Sequence, residues 1–223
     1  MPRARPPAKA HAYAHLQTRT RERRQQLAHE AARLMAECGI HDYHQAKLKA
    51  AQRLGIVDDA SLPRNREIEE ALRQYQRLFQ GNQQVVEVRL RREAGLRALE
   101  FFRDFAPRLV GPVLEGTADA HSAVAMHVHG DDAEAFPRWL EERGVPAELC
   151  SRHLSLDRDR EVDFPVYLFS AEGLGFDVTV LPGDVLRQAP LSAIDGKPMR
   201  RASAGQLGAL LADEDVAAHQ AVS

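Results

Sequence analysis

The sequence predicts an α+β protein: a helical amino-terminal region followed by a mixed β-sheet with flanking helices. Three observations carry this prediction. Apolar residues recur at helical spacing through residues 16–105. The run Val124-Ala125-Met126-His127-Val128-His129 then alternates in the manner of a strand. Finally, residues 147–181 hold three runs of strand character, separated by polar or glycine-containing turns.

The elements follow in order. Residues 1–14 are rich in Pro, Arg and Ala and are expected to form a disordered tail. Leu27, Ala31, Leu34 and Met35 form one stripe of a helix over 16–38, which Gly39 stops. Arg19, Arg21, Arg23 and Arg24 crowd the first half of that helix. The helix dipole disfavours cations there, so the placement suggests an external anion. Asp42 caps a second helix that runs to Leu54 and ends at Gly55. Asn65 is the expected cap of a third, in which Ile68, Leu72, Tyr75 and Phe79 form the core stripe and Gly81 is the stop. A fourth helix is expected over 84–105, burying Leu90, Ala94, Ala98, Phe101, Phe102 and Phe105 and leading into a strand at 108–112.

The stretch from Val110 to Val128 organises the rest: an apolar approach, a glycine-bounded loop from Gly111 to Gly116, and the alternating strand. Val124, Met126 and Val128 point to one face, and Ala123, Ala125, His127 and His129 to the other. The first face suits a core, and the second is where chemistry would sit. A helix over 132–143 contains Pro137, which predicts a kink or a later start. Strands are expected over 147–156, 164–170 and 175–181, the last two joined by an Ala171-Glu172-Gly173 hairpin. Residues 183–202 read as an irregular arm. Its Arg187, Lys197, Arg200 and Arg201 reach a phosphate if the arm folds back, and are solvated charges if it does not. Ser203 caps a short last helix ending near Ala212. The expected organisation is a tail (1–14), a helical region (15–89), a sheet core (90–182) and an arm with a short helix (183–223).

The central stretch resembles the nucleotidyltransferase superfamily, the DNA polymerase beta-like fold shared with many small bacterial nucleotidyltransferases. The motif there is a strand, Gly-Ser, a short loop with a second Gly, then Ser-Asp-hydrophobic-Asp opening the next strand. Gly111 matches the first glycine, Gly116 the second, and Ser122 the serine before the carboxylate pair. Asp177, in Phe176-Asp177-Val178-Thr179-Val180, matches the third carboxylate from a later strand. Pro112 replaces the serine of Gly-Ser, and Ala123 and Ala125 occupy both paired-carboxylate positions. The resemblance therefore implies a nucleotidyltransferase-like mixed sheet with degenerate catalytic carboxylates. It implies a nucleotide site at Gly111, Gly116, Thr117 and Ser122, with Asp177 the remnant of the catalytic metal site. Transfer of a nucleotidyl group needs phosphate charge neutralised, normally by Mg²⁺ on carboxylate oxygens, and two alanines offer none. A glycine-bounded loop still receives a phosphate on backbone N–H groups, so nucleotide binding can outlive catalysis.

A second chemistry is open on the same strand. His127 and His129 share a face, and with Asp177 they form a set suited to Zn²⁺ or another divalent transition metal, with His121 or Asp131 as additions. An active metal-dependent enzyme would use those three residues; the alternative is a pair of ordinary strand histidines. No Ser-His-Asp order, Walker loop or dinucleotide fingerprint is present.

Charge bounds the partners. Residues 1–54 carry 11 Lys and Arg against 4 Asp and Glu, whereas residues 108–223 carry 10 against 19. A basic head on an acidic body suits RNA or an acidic protein partner through residues 1–54. No apolar run reaches membrane-spanning length and no signal-peptide pattern occurs, so no membrane partner is expected. Cys38 and Cys150 lie far apart without a CxxC pattern and read as reduced thiols in a cytoplasmic protein.

Overall fold

The computed structural model describes residues 8–56, 61–79, 81–157 and 159–222. The chain divides into two compact units, residues 1–79 and 80–223. Among the described residues no helix is long and apolar enough to cross a membrane. Residues 1–7 of the expected tail lie outside the described set. From Ala8 onward the chain is already helical, ahead of the start the apolar stripe predicts.

The first unit holds α1 (Ala8–Cys38), α2 (Tyr43–Leu54) and α3 (Asn65–Phe79). Asp42 accepts a hydrogen bond from the Gln45 N–H at 2.7 Å, and Gly55 ends α2 in the left-handed region. At the start of α3 the cap is not the Asn65 side chain. Asn65 is already inside the helix, and the Glu67 carboxylate reaches back to the Arg64 N–H at 2.7 Å. Leu27, Ala31, Leu34, Ala46, Ala50, Ile68 and Leu72 share one buried core. Phe79 departs from the expected stripe and is exposed, stacked obliquely on Tyr75.

The second unit is an α+β structure around one mixed five-stranded sheet. It opens with α4 (Gly81–Phe101), so the expected boundary at 89/90 falls inside this helix. The strands are β1 (Arg108–Leu109), β2 (Val124–His129), β3 (Glu148–Ser155), β4 (Glu161–Ala171) and β5 (Leu174–Leu181), in the order β1-β2-β5-β4-β3. β2 and β5 are parallel and the other neighbours antiparallel. The β4–β5 hairpin turns on Glu172 and Gly173, both at positive φ, as a two-residue turn matched to the twist of its strands requires. Between β1 and β2 lies α5 (Gly111–Glu115), between β2 and β3 lies α6 (Ala135–Glu142), and α7 (Ala204–Val222) closes the chain.

On one sheet face, β2 and β5 are apolar. Val124, Met126 and Val128 of β2 and Phe176, Val178 and Val180 of β5 pack on Leu99 of α4, Phe102 just beyond it, Phe136 and Leu140 of α6, and Leu207 of α7. Leu90 and Phe101 are exposed instead of buried, because α4 turns Val88, Ala94 and Leu99 to the core. Pro137 sits in the first turn of α6, where no N–H is lost from the helix, so the later start replaces a kink. Ser203 caps α7 as expected: its hydroxyl accepts from the Gln206 N–H, and the Gln206 side-chain Oε1 accepts from the Ser203 N–H. That helix runs to Val222, well past Ala212, since Leu207 and Leu211 anchor it in the core.

The arm lies on part of the opposite face. Leu191 donates to the Ser155 carbonyl of β3 at 2.7 Å, and Ala202 bridges Leu109 of β1 in both directions. Ahead of Leu191, Val185 packs on Phe164 and Leu181.

Candidate functional site

The site is built from the polar face of β2 outward. Val110 is extended, and Gly111 at φ +70° turns the chain into α5. This turn sets Gly111 over β2: a Cβ added there would lie 3.5 Å from the Ala125 Cβ. Ala125 is in turn the direct cross-strand partner of Asp177 on β5. Ala125 thus lies beside both Gly111 and Asp177.

The other half of the expected phosphate loop is elsewhere. What reads as a loop is the helix α5, and Gly116 is its C-cap, at the end opposite Gly111. Thr117 and Ser122 lie beyond it and are buried. The Ser122 hydroxyl donates to the Asp119 carboxylate at 2.9 Å and accepts from the Asp119 N–H at 3.0 Å, so Ser122 closes a turn. Two buried arginines of α4 fix this connection. Arg91 donates to the carbonyls of Ser122 and Ala120, each at 2.7 Å. Arg92 donates to those of Val113 and Leu114 at 3.0 and 3.1 Å. Their remaining nitrogens pair with Glu87 and Glu214.

Asp177 does not present free oxygens. Arg152 of β3 reaches across β4 and forms a bidentate pair with it at 2.9 and 2.6 Å, while donating to Thr179 at 3.3 Å. With alanines at 123 and 125 and a guanidinium on Asp177, these residues do not fit the Mg²⁺ that the motif implies. The histidine set also fails to assemble. Among the described residues no group of three or more His, Cys, Asp and Glu side chains is placed to hold a metal. His121 is exposed, and Asp131 accepts from the Gly183 N–H at 3.0 Å, tying down the start of the arm.

His127 and His129 are buried, at 1% and 6% exposure, under the arm. The His129 Nδ1 donates to the Ala106 carbonyl at 2.9 Å. The His127 Nδ1 and the His129 Nε2 are buried without a hydrogen-bond partner. Burial first, then the charges of His129, Arg201 and Arg152, push the His127 pKa down to about 3. Burial also lowers that of His129, with Arg201 and Arg108 adding to the effect against the Ala106 bond. Both rings are therefore neutral.

The cations around them complete the site. Arg108 is the direct cross-strand partner of His127. Arg201 precedes the Ala202 bridge and donates to the carbonyls of Val185 and Leu186 at 3.1 and 3.0 Å. Of the four basic arm residues considered from sequence, Arg201 alone turns inward. Arg187 and Lys197 are exposed, and exposed Arg200 pairs with Glu115 at 3.0 Å. Arg152 and Arg108 were not singled out by sequence. The available signal was an arginine at the inward position between Cys150 and Leu154 of β3, but its partner Asp177 lies two strands away. Comparisons with protein-family models, curated proteins and solved structures found no match. Chemically, the arrangement is a cationic face with neutral imidazoles, suited to holding an anion.

Proposed function

We propose that residues 80–223 form a nucleotidyltransferase-like unit that has lost the metal-dependent reaction and binds a nucleotide. The observation that carries this reading is that Ala125 lies beside both Gly111 and Asp177. In the resemblance these are motif positions, with alanine in a carboxylate position. Arg152 supports the same reading, because its guanidinium neutralises the Asp177 carboxylate, which in the active members is neutralised by a divalent ion. Neutralisation by protein cations makes binding independent of Mg²⁺. The test is calorimetric titration of chelator-treated protein with each common ribonucleoside triphosphate, with and without Mg²⁺. Saturable binding of similar strength in both series is expected, weakened at least tenfold in Ala125→Trp. Failure of every nucleotide to bind overturns the reading.

A second reading rests on α1, where Arg19, Arg21 and Arg23 are all exposed. It makes the basic amino-terminal helix a contact for RNA or an acidic protein surface.

A further inference from the structure

We propose that Arg108, Arg201, His127 and His129 form a phosphate-binding subsite at the β1–β2 edge of the sheet, beneath the arm. The inference deepens the nucleotide reading and rests on it for the ligand class, a phosphate ester.

Placement comes first. Antiparallel pairing sets Arg108 directly across from His127, and strand alternation puts His129 on the same face two residues on. The Leu109–Ala202 bridge brings Arg201 to the same edge. Four groups from β1, β2 and the arm therefore converge.

Charge comes second. Among the described residues neither Arg108 nor Arg201 has a carboxylate partner; their bonds go to the carbonyls of Pro107, Val185 and Leu186. Each is half-buried. Burial and the nearby Arg108 both oppose the charge on Arg201. Two adjacent cations withdrawn from water need a counter-charge, and an anion held between them provides it.

The histidines define what the anion carries. The His127 Nδ1 donates in its N–H tautomer. His129 already donates through Nδ1, so the Nε2 of its neutral ring only accepts. The matching ligand offers acceptor oxygens to Arg108, Arg201 and His127 and one O–H to His129. A phosphate group bearing a proton, or one beside a sugar hydroxyl, has this pattern. A metal ion at the same nitrogens would face the two guanidiniums, whose repulsion disfavours it. The other charged side chains on elements bordering β2 are Asp177, held by Arg152; Glu115, held by Arg200; Asp184, on the exposed side of the turn after β5; and, on α4, Arg91 and Arg92, held by Glu87 and Glu214, Arg89, held by Glu93 and Asp215, Arg97, held by Glu172, and exposed Glu100.

The test uses the full chain with ¹⁵N-labelled histidine, titrated with inorganic phosphate and with a ribonucleoside triphosphate while the ring nitrogens are observed. Calorimetry runs in parallel on Arg108→Gln, Arg201→Gln and, as a control on the arm, Arg187→Gln. Support would be perturbation of the His127 and His129 rings, with binding at least tenfold weaker in the first two variants and unchanged in the third. Rings perturbed by phosphate when no nucleotide binds would keep the subsite and overturn the nucleotide reading. Nucleotide binding that leaves both rings unmoved would keep that reading and overturn the subsite. Silence of both rings to both probes overturns the subsite as well, and needs no variant to fold. Zn²⁺ shifting the rings where phosphate does not would also overturn it.

Discussion

At the residue scale, His127 concentrates the costs of the site. It is a neutral ring, 1% exposed, with an unpartnered Nδ1 and cationic neighbours. The unfolded chain takes up a proton on this histidine below its ordinary pKa of 6.5, while the folded chain refuses it until about 3. The folded value is lowered, so the unfolded state binds more protons between these limits and is favoured there. Stability from this group is complete above pH 6.5 and falls as pH drops towards 3. At an acidity two units below the ordinary pKa the loss is about 2.7 kcal/mol. His127→Leu is expected to flatten the acid limb of stability by this amount, read from urea unfolding at a series of pH values. An unchanged acid limb would show that the ring is not buried neutral.

At the element scale, α4 does more than supply the apolar layer under the sheet. Its adjacent arginines point to the two ends of the α5–β2 connection and satisfy four carbonyls that no strand pairs. The position of Gly111 depends on this connection, because α5 begins there and its later carbonyls are the ones held. Arg91→Met strips donors from Ser122 and Ala120 and leaves Glu87 without its cation. A destabilisation of about 3 kcal/mol is expected from those buried groups. Urea denaturation measures it, and a change below about 1 kcal/mol would place the anchoring elsewhere.

At the scale of the whole molecule, charge and packing are both divided. Each unit has its own core, the first built on Leu27, Ala31 and Ile68 and the second on Met126, Val178 and Phe102. Within the first unit Arg33 and Arg53 are neutralised by Glu30, with Arg33 also meeting Glu37. Exposed Arg19, Arg21 and Arg23 lie earlier on α1. If that surface binds RNA, retention on a single-stranded RNA column falls steeply with salt, because each phosphate contact releases a counterion. Reversing all three to Glu is expected to lower the slope of log affinity against log salt by about 2, roughly 0.7 for each lost contact. Equal retention of the two proteins would remove α1 from the interface.

The sequence by itself determined the α+β class, the core face of β2, the Asp42 and Ser203 caps and the β4–β5 turn. Each of these depends on neighbours within a few residues: alternation, a side chain reaching its own backbone, or a glycine at positive φ. The sharing of one face by His127 and His129 was legible for the same reason. Tertiary structure decided the rest of the site. Only folding brought Arg152 to Asp177 across β4, turned Arg201 inward while Arg200 found Glu115, and sent Gly116 and Ser122 to the far end of α5 and beyond. It also buried both histidines, which alternation alone leaves open to solvent or to a metal. These are long-range pairings, and a side chain's partner across a sheet is set by strand order and register, which local spacing does not encode.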